Sequence, residues 1–202
     1  TVYFRVSINS SAVEGEAKVT IAPKTVGLDW TNSAFTYDGG VHAPAATATG
    51  LISGDSCSVT VSGAQRDAGS YTATATGLSN GNYALPEDNT CPFVIAKAAP
   101  KVTAPKAKAL EYTGKAQELV SAGEVTGGTM QYSLDNETWK TDVPTARKAG
   151  TYTVYYRVVG DANHTDVAAK RLEVTISKKE EPAPTAKPTV KPTAKPIPVI
   201  TV

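Results

Sequence analysis

Two cysteines, Cys57 and Cys91, and two histidines, His42 and His164, are the chain's entire supply of thiol and imidazole. A nucleophile and its base must lie within hydrogen-bond reach of each other, and a metal site needs several ligands converging. The histidines fall in separate polar loops far apart in sequence, which predicts two surface loops and no shared site. The 19 acidic residues include no pair set in corresponding strands, as a glycosidase would need. No glycine-rich turn leads from a strand into a helix to hold phosphate. The expectation is a chain that is not an enzyme and carries neither metal nor cofactor.

Two tryptophans offer another chemistry, the stacking of a flat ring on the apolar face of a sugar. Trp30 is in phase with Val26 and Leu28, as a buried strand residue would be. Trp139 follows the turn Asp135-Asn136-Glu137 and is the tryptophan expected to be exposed to a ligand. Asn163 and His164, in the turn running from Gly160 to Thr165, are the other candidate contacts. Asn9, Asn136 and Asn163 each begin an Asn-x-Ser/Thr triplet, a glycosylation acceptor in a eukaryotic product and incidental loop polarity in a bacterial one.

Strands must carry these groups, because the apolar residues alternate. Tyr71, Ala73 and Ala75 oppose Thr72, Thr74 and Thr76, and Tyr152, Val154, Tyr156 and Val158 oppose Thr151, Thr153, Tyr155 and Arg157. Successive strand side chains point to opposite faces, so the first set in each case is the core face. Asp38-Gly39-Gly40, Asn80-Gly81-Asn82, Thr126-Gly127-Gly128 and Asp135-Asn136 supply turn residues that tolerate positive φ. No window holds a sustained 3.6-residue apolar stripe with caps, so no helix is expected. The same parity aims both cysteines inward, Cys57 with Val59 and Val61, Cys91 with Phe93 and Ile95. Two alternatives follow: a disulfide closing a loop of roughly 35 residues, or two separate buried thiols acting as small hydrophobes.

One signature recurs without a gap. Ala68-Gly69-Ser70-Tyr71-Thr72 returns 81 positions later as Ala149-Gly150-Thr151-Tyr152-Thr153, each copy preceded by an arginine, Arg66 or Arg147. A partial third copy opens the chain: Thr1-Val-Tyr-Phe-Arg-Val6 matches Thr153-Val-Tyr-Tyr-Arg-Val158, and Val19-Thr-Ile21 matches Val174-Thr-Ile176. Short strands between turns, spaced in this way, predict an all-β chain of tandem β-sandwich modules. The boundaries read as 1–24 for the remnant of a preceding module, 25–98 and 99–178 for two complete ones, and 179–202 for a tail. Short proline-containing junctions restrict hinge motion and predict a stiff rod.

The tail repeats Pro-Thr-x-Lys from Pro184 to Pro196. Its expected state is a disordered, extended spacer, since prolines at this density favour polyproline II. Its lysines would suit an anionic cell-wall polymer. The 20 basic and 19 acidic residues nearly cancel, leaving no field to gather nucleic acid or anionic lipid. No apolar run of roughly 18 residues is present to span a membrane.

With these residues laid out, the chain resembles the MBG-type repeats, immunoglobulin-like domains of Gram-positive surface and adhesin-like proteins. The stretches that carry the resemblance are Phe35-Thr-Tyr-Asp-Gly39, Ala68-Gly-Ser-Tyr-Thr72, Leu78-Ser-Asn-Gly-Asn-Tyr83 and Gly160-Asp-Ala-Asn-His-Thr165. The resemblance implies tandem immunoglobulin-like sandwiches and an extracellular, cell-surface or cell-wall location. It implies a non-catalytic stalk that displays another domain. The alternatives are an adhesive module that binds mucin or other glycans or a host extracellular protein, and an accessory of a large secreted glycoside hydrolase.

Overall fold

The computed structural model describes residues 2–8 and 10–178. The Pro/Thr/Lys-rich stretch 179–202 and Asn9 lie outside the described residues. All regular structure among the described residues is β-strand, with no helix, as the period-two alternation requires.

Two four-stranded sheets share one strand order. The first runs Ala34–Thr36, Thr90–Ala96, Gly69–Leu78, Val59–Ser62, and the second runs Leu110–Glu111, Val167–Ser177, Gly150–Gly160, Gly128–Ser133. In each, the first pair is parallel and the remaining pairs antiparallel. Smaller two-stranded ladders accompany them, Gly27–Thr31 with Ala45–Thr49 in 24–98 and Lys101–Thr103 with Glu124–Thr126 in 98–178.

Each stretch buries apolar residues of its own. Ala73, Phe93 and Ile95 form one cluster and Val26, Ala48 and Tyr83 a second, with Trp30 and Cys57 at their margins. In 98–178 a single cluster joins Leu119, Val120, Met130, Tyr132, Val154, Val158, Val174 and Ile176. Fully burying a Val, Ile or Phe side chain contributes roughly 1.5–3 kcal/mol. The second core is continuous where the first is divided into two clusters, and Val154 stands where the first has Ala73.

The Ala-Gly-Ser/Thr-Tyr signature has a local cause. The Tyr71 hydroxyl donates to the Asp67 carbonyl at 2.9 Å, and the Tyr152 hydroxyl donates to the Lys148 carbonyl at 2.8 Å. Each tyrosine thereby closes the turn four residues before it. A Cβ at Gly69 would lie 2.8 Å from the Tyr71 hydroxyl and would have to displace it.

Near the start of the chain Val2–Ile8 pairs with Ser11–Ala17, and no further strand joins them among the described residues. Val2, Phe4, Val6, Val19 and Ile21 are exposed there. The register of this hairpin is nonetheless that of the two large sheets. Val2 faces Ala17 as Ala73 faces Cys91 and Val154 faces Leu172, and Tyr3 faces Glu16 as Thr74 faces Thr90 and Tyr155 faces Arg171.

Candidate functional site

The densest group of polar contacts between distant segments lies where 24–98 meets 98–178. The turn from Asp161 to Thr165 is shaped by Asp161, whose Oδ1 accepts the Asn163 N–H at 2.8 Å and contacts His164 Nδ1 at 2.7 Å. That imidazole contact, then the backbone one, holds the Asp161 carboxyl below the usual carboxylate range. So fixed, the Asn163 amide spans to the other half: the Ala68 N–H donates to its Oδ1 at 2.8 Å, and its Nδ2 donates to Asp67 Oδ1 at 3.0 Å. Lys97 Nζ donates to the Asp161 carbonyl at 3.2 Å.

The backbone completes this joint. The Ala98 N–H donates to the Asn163 carbonyl at 3.0 Å and the Thr165 N–H donates to the Ala98 carbonyl at 2.8 Å, a parallel bridge between the incoming strand and the turn. His164 meets Tyr37 edge to face with ring centroids 5.3 Å apart, the geometry that aligns a ring edge with a π face. Gly127 makes room for that imidazole: its φ is +92°, and a Cβ would come within 2.5 Å of the ring. His42 is held similarly, 2.8 Å from Asp38 Oδ1 and stacked on Phe35 at 4.7 Å. Both histidines, expected in plain surface loops, are therefore partly buried and paired.

Trp139 is half-buried. The Arg157 guanidinium lies over one face of its ring at 4.3 Å, a cation–π contact, while Arg157 Nε donates to Gln131 Oε1 at 2.9 Å. The rest of the ring lines an open cleft of about 540 Å³ with Asn136 and Asp166. The preceding turn is rigid because Asp135 Oδ1 accepts the N–H groups of Glu137 and Thr138 and the Ser133 hydroxyl, at 2.7 to 2.9 Å. The serine contact leads in holding this carboxyl far below its ordinary 3.8. Its folded pKa being lower than its unfolded one, the ionised form stabilises the turn above the ordinary carboxylate range, and that contribution is lost only as pH falls through the depressed value. A carboxyl NMR titration should show Asp135 still ionised at pH 3, below the ordinary carboxylate range.

The structure separates Trp139 from Asn163 and His164: the tryptophan lines its own cleft, and the other two have their polar groups engaged with Asp67, Ala68 and Asp161. Cys57 and Cys91 stand as free thiols in the structure. Both do face inward, but Cys57 packs beside Val26, Ala48 and Tyr83, whereas Cys91 pairs across the ladder with Ala73. Denatured protein should alkylate at two thiols without reductant, and intact mass reads this directly; one bridge would leave none. Among the described residues no three His, Cys, Asp or Glu side chains converge as metal ligands.

No family model, curated protein or solved structure matches this chain. Internal comparison is what assigns weight to its parts. Asn80-Gly81-Asn82 and Asp161-Ala162-Asn163 occupy equivalent turns, and both carry an Asx side chain accepting the N–H of the asparagine two residues on. Both stretches are turns by residue type, with Asn163 alone expected to contact a ligand, and the joint partners Asp67, Ala68, Tyr37 and Lys97 were not expected. The available signal was the second asparagine, which a turn alone does not demand.

Proposed function

We propose that this chain is a non-catalytic repeat region of a secreted or cell-surface bacterial protein, a stalk that holds another domain away from its base. The observation that carries this reading is the joint at Asn163, where side-chain and backbone hydrogen bonds tie 25–98 to 99–178. A hinge would leave such groups to water. A stalk uses them to transmit orientation from one module to the next.

The finer architecture belongs to the same proposal: 25–98 and 99–178 as tandem immunoglobulin-like sandwiches, 1–24 as part of another, and 179–202 as an extended spacer. Identical strand order in the two sheets supports it, as does the tyrosine that bonds back to the turn before its strand, a habit of immunoglobulin-like sandwiches. The resemblance to MBG-type repeats of surface proteins supplies the location. Residual dipolar couplings test the stalk: a single alignment tensor should fit the amides of both halves. Two tensors of different magnitude would mean independent tumbling and would end the stalk reading.

A second reading, adhesion, rests on one difference between the halves. Val61 and Tyr132 occupy equivalent ladder positions, yet five residues lead from Val61 to Arg66 and fifteen from Tyr132 to Arg147. The extra residues carry Asp135 and Trp139, and 24–98 has no counterpart to them. Glycan-array binding by the full chain, abolished by Trp139→Ala, would establish this reading; no binding to any glycan or mucin would remove it.

A further inference from the structure

The joint at Asn163 has a counterpart at the opposite end of 24–98. There the Lys24 N–H donates to the Asn82 carbonyl at 2.9 Å, as the Ala98 N–H donates to that of Asn163 at 3.0 Å. The Asn82 N–H is held by Asn80 Oδ1 at 3.0 Å, as the Asn163 N–H is by Asp161 at 2.8 Å. The two turns differ in one respect: the Asn163 amide is bonded to Asp67 and Ala68, and the Asn82 amide has no partner among the described residues.

The segment leading into Lys24 also follows the pattern of the joint. Two residues separate Ile21 from Lys24 and two separate Ile95 from Ala98. Upstream, the hairpin keeps the register of the two central strand pairs. Its apolar face is nevertheless open. Val2 is 53% exposed where Ala73 and Val154 are 0%, and Ile21 is 91% exposed where Ile95 and Ile176 are 1%.

We propose that the face around Asn82 seats a further β-module of the same kind, joined through Ile21–Lys24, whose last two strands are Val2–Ile8 and Ser11–Ala17. Its Asp-Ala turn bonds the Asn82 amide as Asp67-Ala68 bonds Asn163. This rests on the stalk reading and adds to it a docking face that the reading leaves open. The occupant is a covalent neighbour because a contact of a few hydrogen bonds is held by the high effective concentration of a tethered partner.

The test is a full chain in which a copy of residues 25–97 replaces residues 1–23, which preserves the two residues between the last isoleucine and Lys24. A second chain carries a copy of 99–178 in the same place and keeps the result independent of either copy's folding. Amide exchange at the copy's turn alanine is compared with that at Ala149, the equivalent alanine that has no such acceptor among the described residues. The expected result is exchange at least about tenfold slower than at Ala149, independent of protein concentration, and returned to the Ala149 rate by Asn82→Ala. Exchange at the Ala149 rate, slow exchange indifferent to Asn82→Ala, or protection that appears only at high concentration would each overturn the proposal. The native Ala68 amide in the same molecule separates the two failures: if it stays protected the stalk reading survives, and if it does not both fall.

Discussion

Replacing Phe93 with alanine should destabilise 24–98 by about 3–5 kcal/mol, the range for large-to-small changes at buried aromatic positions. Phe93 is 1% exposed and meets both Phe35, edge-on at 6.1 Å, and Tyr71 at 5.6 Å. The neighbouring strand supplies only Ala73 and Ala75 as fully buried residues, so Phe93 and Ile95 are the large fully buried side chains of this sheet. The cluster around Val154 and Ile176 shares no residue with that of Phe93, so 98–178 should keep its own melting transition. A domain typically has only about 5–15 kcal/mol of stability in total, so the variant should show 24–98 unfolding well before the rest. The check is thermal unfolding followed by resolved NMR signals from each half; a common shift of both transitions would contradict separate cores. Phe4→Ala, at a ring half exposed on the hairpin, should change neither transition measurably.

The second large effect is expected at Asn163. Its alanine variant loses the bonds to Ala68 and Asp67 and leaves a backbone N–H without its acceptor. A net contribution of about 0.5–1.5 kcal/mol per hydrogen bond puts the loss across the joint at about 1–3 kcal/mol. Exchange of the Ala68 amide should accelerate about tenfold or more, since each 1.4 kcal/mol is a factor of ten. The cores are untouched, so both melting transitions should stay within about 1 kcal/mol of wild type. An Ala68 amide that exchanges at its original rate would show that Asn163 does not hold the joint. Asn163→Asp is a useful companion: it keeps the acceptor for Ala68 but sets a carboxylate against Asp67, so it should restore protection only at acid pH.

Much of this architecture was legible in the sequence because the strand period is short and strict. Tyr71, Ala73 and Ala75 against Thr72, Thr74 and Thr76 gave the core face directly, and burial follows it. The 81-residue spacing aligned two sheets whose strand order then agreed. Where the reading fell short, the cause lies in information that alternation does not hold. Parity says that Cys57 and Cys91 both point inward, yet not that one sits beside Tyr83 and the other opposite Ala73, because the separation of two strands within a sheet pair is a tertiary matter. Trp139 was expected to be exposed, and the residue that covers it, Arg157, is outward-facing on the strand Gly150–Gly160: a loop can fold its ring under a long outward side chain, which alternation along a strand does not record. Asn163 and His164 were sought as ligand contacts for sound chemical reasons, and what they bind is the adjoining part of their own chain.

The parallel pairing at the edge of each large sheet bears on how such a chain carries load. Ala34–Thr36 lies near the start of its half and Thr90–Ala96 at its end, and they run side by side in the same direction; Leu110–Glu111 and Val167–Ser177 repeat the arrangement. Tension applied along the chain draws the first strand of each pair backwards and the second forwards. The hydrogen bonds between them are then strained sideways and together, instead of opening one after another as at the end of a hairpin. Each half thus meets a pull with the bonds of its edge acting in concert, whereas the lone hairpin of Val2–Ile8 and Ser11–Ala17, antiparallel and joined at one end, would peel apart bond by bond.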